Sequence, residues 1–196
     1  VLEIVRRELG QEYQFIERLG GGEFSNVYRI RHVDTGEERA LKVMDYHYLL
    51  QRLRKADFSD SDSKYNEIKK RFVTEARLYK KIEHSNIVKI YNTGLIEDKE
   101  KGLEIPYIIM SYIKGASLSS IIRNEGPIEV DRVVTIARDV LMALEEIHKH
   151  RVIHRDLKPA NIMIKEDTGE AVIIDFGIAK EIVDTTRLTS TGALLG

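Results

Sequence analysis

His154-Arg155-Asp156-Leu157-Lys158-Pro159-Ala160-Asn161 is the stretch on which the reading of this chain turns, and Asp175-Phe176-Gly177 begins fourteen residues beyond Asn161. Two acids and an amide, Asp156, Asn161 and Asp175, fall on short turn-like segments beside apolar stretches such as Val152-Ile153 and Ile173-Ile174. Amide and carboxylate oxygens are hard ligands that suit Mg²⁺. A further carboxylate at the same place can orient a hydroxyl and accept its proton. Such a set suits an enzyme that holds metal ions and phosphates, with Asp156 as base, Asn161 and Asp175 as metal ligands, and Lys158 against a phosphoryl group. His154, next to Val152-Ile153, reads as a packed structural histidine and not as the base.

Working outward, the clearest helix lies just before the motif, at about residues 129–150. Its apolar stripe runs Val133, Ile136, Ala137, Val140, Leu141, Leu144, Ile147. Just after the motif, Ile162–Ile164 and Ala171–Ile174 read as a hairpin. Upstream, Gly115 breaks the chain and Ser117 caps a short helix through Arg123. Short strands are expected around 87–91 and 107–110, with Lys99–Gly102 as a solvent loop between them. Residues 67–83 read as a helix whose inward stripe is Ile68, Phe72, Glu75, Tyr79, Ile82. Residues 45–66 are charged and read as a partly helical, partly mobile connector. Residues 13–43 read as a meander of three strands, with a glycine cluster Gly20-Gly21-Gly22 and a turn at Asp34-Thr35-Gly36.

Two charges stand where apolar residues would be expected. Lys42 lies in the strand Ala40-Leu41-Lys42-Val43, and Glu75 lies inside a helical apolar stripe. A partly buried charge is costly unless paired, and an inward lysine and an inward glutamate can satisfy each other. Such a pair would hold the ammonium beside a phosphate. The glycine cluster reads Gly20-x-Gly22-x-x-Ser25-x-Val27. Glycines let backbone N–H groups approach phosphate oxygens closely. Its place between two strands fits a flap over a nucleotide and not a dinucleotide fingerprint, which needs strand then helix. A glycine-rich hairpin with no ligand has the same pattern.

The chain of 196 residues is 42% hydrophobic, enough to bury a core, and its net charge of −1 gives no reason to expect nucleic acid or an anionic membrane as partner. Its lack of cysteine excludes a disulfide scaffold and a cysteine-ligated metal. No apolar run approaches the roughly 18 residues of a membrane span, and no signal-peptide pattern opens the chain. The expected location is cytoplasmic, with a membrane-anchored parent protein also compatible. Position 1 is Val, so the chain is expected to be a processed, trimmed or excised piece.

In this order, Ala40-x-Lys42, Glu75, His154-Arg155-Asp156, Asn161 and Asp175-Phe176-Gly177 resemble a eukaryotic-like serine/threonine protein kinase, over almost the whole chain. Ile178-Ala179-Lys180 and Leu188-Thr189-Ser190-Thr191-Gly192 resemble bacterial members. The resemblance implies an α+β fold: a five-stranded antiparallel N-lobe sheet with an αC helix over residues 1–113, then a partial, mainly helical C-lobe over 114–196. It implies ATP with Mg²⁺ (or Mn²⁺) and protein substrates. Lys42 would contact the α- and β-phosphates and pair with Glu75. Leu19, Val27, Ala40 and Met163 would sandwich adenine. Met110 would be the gatekeeper, and the backbone of Ser111 and Ile113 would meet the adenine edge. Tyr79 would pack toward Phe176 and His154, although tyrosine is unusual there. Arg155 suggests control by autophosphorylation between copies at Thr189 or Thr191, with Ser190, Thr185 and Thr186 as weaker acceptors.

By the same resemblance a full domain has roughly 250–280 residues, and this chain stops within the activation segment. The fragment is therefore expected to be weakly stable, or dimeric, or inactive toward protein substrates. Two other readings stay open: a noncatalytic ATP-binding or scaffold module, and a kinase-like small-molecule phosphotransferase.

Overall fold

The computed structural model describes residues 1–22, 25–55 and 61–175. These form two compact units, one built from Val1–Leu78 with Ile90–Tyr112, the other from Tyr79–Lys89 with the described residues from Ile113 to Asp175.

The first unit holds α1 (Leu2–Leu9), β1 (Tyr13–Gly22), β2 (Ser25–His32), β3 (Glu38–Met44), α2 (Tyr46–Lys55), α3 (Ser61–Tyr79), β4 (Ile90–Asp98) and β5 (Leu103–Ser111). Its strands make one antiparallel sheet in the order β1-β2-β3-β5-β4. The five-stranded α+β architecture expected from the motifs is therefore present. Asp34-Thr35-Gly36 does form the β2–β3 turn, with Gly36 at φ +69° and its N–H donating to the His32 carbonyl. Alternation sets the sheet's two faces. Ile30, Leu41, Val43, Ile105 and Ile109 are buried in it, and Ile68, Phe72 and Ala76 bury one face of α3.

Some boundaries differ from the sequence reading. The helix expected at 67–83 runs over Ser61–Tyr79. It begins earlier because Tyr65 continues the buried row below Ile68. The Tyr65 hydroxyl donates to the Glu104 carbonyl at 2.7 Å, and Lys69 pairs with Glu104 at 2.6 Å. Burial pushes the Tyr65 hydroxyl pKa up. The helix stops at Tyr79 because Lys80-Lys81 turn, with Ile82 N–H donating back to the Tyr79 carbonyl. The strand expected at 87–91 belongs to two structures: Ile87 bridges to Ile173, and β4 starts only at Ile90. Part of the charged connector is the well-anchored α2, whose Tyr46 hydroxyl donates to buried Asp98 at 2.9 Å. The acidic tip at Asp57–Asp60 lies outside the described residues, apart from the start of α3. Helix α1, which the patterning did not single out, buries Val5 and Leu9.

The second unit holds β6 (Gly115–Ser117), α4 (Leu118–Glu125), α5 (Val130–Lys149), a single 3₁₀ turn (Pro159–Asn161), β7 (Ile162–Lys165) and β8 (Ala171–Ile173). The expected Ser117 cap is present, its side chain accepting from Ser120 N–H. The β7–β8 hairpin is also present, and β6 adds a third strand in the order β6-β7-β8. The stripe read along α5 splits in two. Ile136, Val140 and Ile147 are buried, joined by Asp139 and Ala143 from outside the stripe, whereas Val133, Ala137 and Leu141 are exposed, Leu141 at 64%. Both rows are apolar at helical spacing, so spacing alone did not tell which faced inward. Among the described residues no helix is long and apolar enough to cross a membrane.

Candidate active site

In the first unit the register assembles one set of expected ligands. Val27 pairs with Lys42, Lys42 with Ile108, and Ala40 with Met110. With a side-chain period of two, Val27, Ala40, Lys42 and Met110 share one sheet face, and Ser25 joins them at the end of β2. Lys42 is only 8% exposed. A strand lysine buried to that degree is costly without polar company. Glu75 is half-buried within the inward stripe of α3. Leu19 departs from the set: it occupies a register shift between Arg18 and Gly20 and is exposed. Ser111, opposite Arg39, ends β5, and Ile113 follows it in the second unit.

Gly20, Gly21 and Gly22 are the end of β1, paired with Val27, Asn26 and Ser25. A Cβ on Gly21 would stand 2.5 Å from the Ser25 carbonyl oxygen. Close approach of the two strands thus demands glycine at 21. At Gly20, φ +152° meets open space, so packing does not exclude a side chain there. Residues 23–24 lie outside the described residues.

In the second unit the motif His154–Asn161 closes on itself. Asp156 N–H donates to the His154 carbonyl at 2.9 Å, and Arg155 between them has φ +64°. A three-residue turn with positive φ at a non-glycine is strained, and it fixes where Asp156 points. Lys158 Nζ donates to Asp156 Oδ2 at 2.6 Å. Asn161 Nδ2 donates to the Asp156 main-chain oxygen at 2.8 Å and to Oδ2 at 3.0 Å. One carboxylate oxygen is therefore held by an ammonium and an amide, which orients the other. Because its Nδ2 is committed in this way, Asn161 keeps Oδ1 as its acceptor. Its main-chain oxygen accepts from Ile174 N–H at 3.0 Å, which brings Asp175 beside it.

The donor chemistry here fits Mg²⁺. No group of three or more His, Cys, Asp or Glu among the described residues forms a metal cage. Mg²⁺ does not need one, since it is typically held by one or two carboxylates together with substrate phosphates and water. Asn161 Oδ1 and the Asp175 carboxylate are the residues that would hold it.

His154 is buried, and burial lowers its pKa, which the charges of Asp175 and Asp156 oppose without reversing. Burial thus favours its neutral form, in keeping with a structural role. Tyr79 reaches the same place: its hydroxyl donates to the Ile153 carbonyl at 3.3 Å. For a histidine of depressed pKa, the unfolded chain binds a proton below about pH 6.5 that the native state refuses. Stability present at neutral pH is therefore lost as pH falls through that value toward the lower native pKa. His154→Gln is expected to flatten the dependence of melting temperature on pH between about 7 and 5. Identical acid losses in both proteins would count against this assignment.

Phe176, Gly177 and the acceptor candidates Thr185, Thr186, Thr189, Ser190 and Thr191 lie outside the described residues. Met163 lies in β7 opposite Val172. Sequence reasoning missed Asn86 and Asp139, both buried. Asp139 could have been found, because it falls on the Ile136–Val140–Ala143 row.

A family model described as "Protein kinase domain" matches residues 13–193. The serine/threonine-protein kinase PknB of Mycobacterium leprae (strain TN) is 35% identical over 188 residues, 96% of this chain and 28% of that protein. The serine/threonine-protein kinase PrkC of Bacillus subtilis (strain 168) is 31% identical over 193 residues, 98% of this chain and 26% of that protein. The chain thus spans little more than a quarter of the length of these curated relatives. Among solved structures, "Rad53 1-466 in complex with AMP-PNP" aligns with a TM-score of 0.66 and 26% identity, over 91% of this chain and 44% of that one. "PpkA-294 apo form" aligns with a TM-score of 0.74 over 91% of this chain and 63% of that one, and its 23% identity speaks to the fold alone.

Proposed function

Since the chain belongs to the protein kinase family, we propose that it carries the ATP-handling and catalytic loop of a serine/threonine protein kinase. The carrying observation is the Asp156–Lys158–Asn161 cluster, with its 2.6 Å ammonium–carboxylate contact. The identity with bacterial serine/threonine kinases supports it.

In this reading a serine or threonine hydroxyl of a protein attacks the γ-phosphorus of ATP. A new O–P bond forms, the bond to the β-phosphate oxygen breaks, ADP leaves, and the hydroxyl proton passes to Asp156. Lys158 offsets negative charge on the transferring group, where most of the barrier lowering in such reactions arises. Lys42, paired with Glu75, steadies the α- and β-phosphates. Backbone N–H groups from Gly20 to Gly22 and Ser25 lie over the phosphates. Leu19, Val27, Ala40 and Met163 take the adenine, Met110 bounds its inner end, and the main chain of Ser111 and Ile113 meets its edge. Bound Mg²⁺ would neutralise and orient the phosphates. Autophosphorylation between copies at Thr189 or Thr191 is part of the same proposal, as is a cytoplasmic location, where ATP is supplied.

Incubation with Mg·ATP and a mixed protein substrate, read by phosphopeptide mass spectrometry, tests this. Phosphoserine and phosphothreonine are expected in the substrate, and phosphate on this chain at Thr189 or Thr191. Phosphate on this chain only at other sites would remove the autophosphorylation part. Mg-dependent ATP binding with no phosphoprotein at all would favour the nucleotide-binding module instead.

A further inference from the structure

Asp139 is a carboxylate only 8% exposed, on the inner row of α5. Among the described residues its partner is the main-chain N–H of Ala171, which donates to Oδ2 at 3.0 Å. A buried carboxylate facing one neutral donor is a costly way to fill a helix position. An apolar residue would fill the same space, so what Asp139 contributes is that single acceptor.

That acceptor acts on β8, the strand that delivers Asp175. Ala171 is its first residue, and Asp175 lies two residues past its end. The strand is held from several sides. The Ala171 carbonyl accepts from buried Asn86 Nδ2 at 2.8 Å. Asn86 also accepts from Ile173 N–H through its own carbonyl at 2.9 Å, and Val88 N–H donates to the Ile173 carbonyl at 2.9 Å. On the other edge β7 pairs Ile162 with Ile173 and Ile164 with Ala171. Asn86 thus completes the edge of a three-residue strand too short to hold its own register. Among the described residues, it is the Asp139 hydrogen bond from α5 that fixes where β8 begins. A slip of one residue would turn every side chain after it to the opposite face.

We infer that Asp139 is a positioning residue for Asp175, acting through the Ala171 peptide; this rests on the reading above, in which Asp175 holds Mg²⁺. The carboxylate does not touch nucleotide or metal. It sets the strand origin from which Asp175 is measured out.

The test reads binding and not turnover. A fluorescent ATP analogue is titrated into the protein with Mg²⁺ and with EDTA, and the ratio of the two affinities is recorded. Asp175→Asn serves as the control that should abolish the gain from Mg²⁺. Asp139→Ala is expected to cut the Mg²⁺-dependent gain by about tenfold, the scale of losses seen when a group supporting a metal ligand is removed, while leaving the EDTA affinity within about twofold. Asp139→Asn, which keeps an acceptor oxygen, is expected to restore the gain. Equal losses in both media, no loss, or an Asn variant as poor as Ala would each overturn the assignment. If Asp139→Ala does not fold, Asp139→Glu decides: it keeps the charge but displaces the acceptor by one methylene, so the same selective loss supports the role and an unchanged ratio rejects it. A wild-type protein indifferent to Mg²⁺, or an Asp175→Asn variant equal to it, would bring down the nucleotide reading itself.

Discussion

Replacing Asp156 with asparagine is expected to slow phosphotransfer by about 10² to 10⁴-fold, the usual contribution of a positioned general base. That corresponds to roughly 3–5 kcal/mol of barrier at 1.36 kcal/mol per factor of ten. The geometry predicts that the loss falls on turnover and not on nucleotide affinity. Asp156 Oδ2 is engaged by Lys158 at 2.6 Å and by Asn161 at 3.0 Å. An asparagine of the same shape can keep both contacts through its one remaining oxygen but cannot take up a proton. Steady-state rates with Mg·ATP and a protein substrate measure the first effect, and nucleotide titration measures the second. A variant retaining a tenth or more of the wild-type rate would show that Asp156 is not the base. A parallel collapse of nucleotide affinity would instead show that it holds the phosphate site together.

Gly115→Ala is expected to destabilise the protein by about 3 kcal/mol, by overpacking against immovable backbone in a conformation L residues avoid. Gly115 opens β6 at φ +155°, and a Cβ there would stand 1.9 Å from the Ile164 carbonyl oxygen and 2.9 Å from its carbon. Neither atom is the end of a flexible side chain, so relief requires β6 and β7 to separate. The contrast is Gly126, at φ +85° with nothing within 4 Å, where alanine should cost only about 1 kcal/mol, from backbone preference alone. Urea unfolding of both variants checks this. Equal losses at the two glycines would refute the steric argument. Because β7 carries β8 on its other edge, Gly115→Ala is also expected to blunt the Mg²⁺-dependent gain in nucleotide affinity.

The elements around the chemistry were legible where the signal is local. The β2–β3 turn, the Ser117 cap and the β7–β8 hairpin rest on residues a few positions apart, and each appeared as read. The limits of α3 and β4 were not legible, because they are set by partners far along the chain. Tyr65 continues α3 toward its start by reaching the Glu104 carbonyl. Ile87 and Val88 read as strand but serve β8 and not β4. On α5 two apolar rows compete, and packing against β8 selects the row containing Asp139.

By itself the sequence determined the candidates for the chemistry: an eight-residue loop with Asp156, Lys158 and Asn161, a remote Asp175, and two charges, Lys42 and Glu75, set into apolar patterns. Those residues announce themselves because their polar side chains stand out, within a short motif or against an apolar pattern. Only the tertiary structure decided what holds that chemistry in place. The hydrogen bonds of Asp139 and Asn86 to Ala171 span 32 and 85 positions and end on main-chain atoms. Every residue type offers the same peptide N–H and C=O, so no side-chain pattern marks the far end of such a contact. It exists only once the strand and helix have packed.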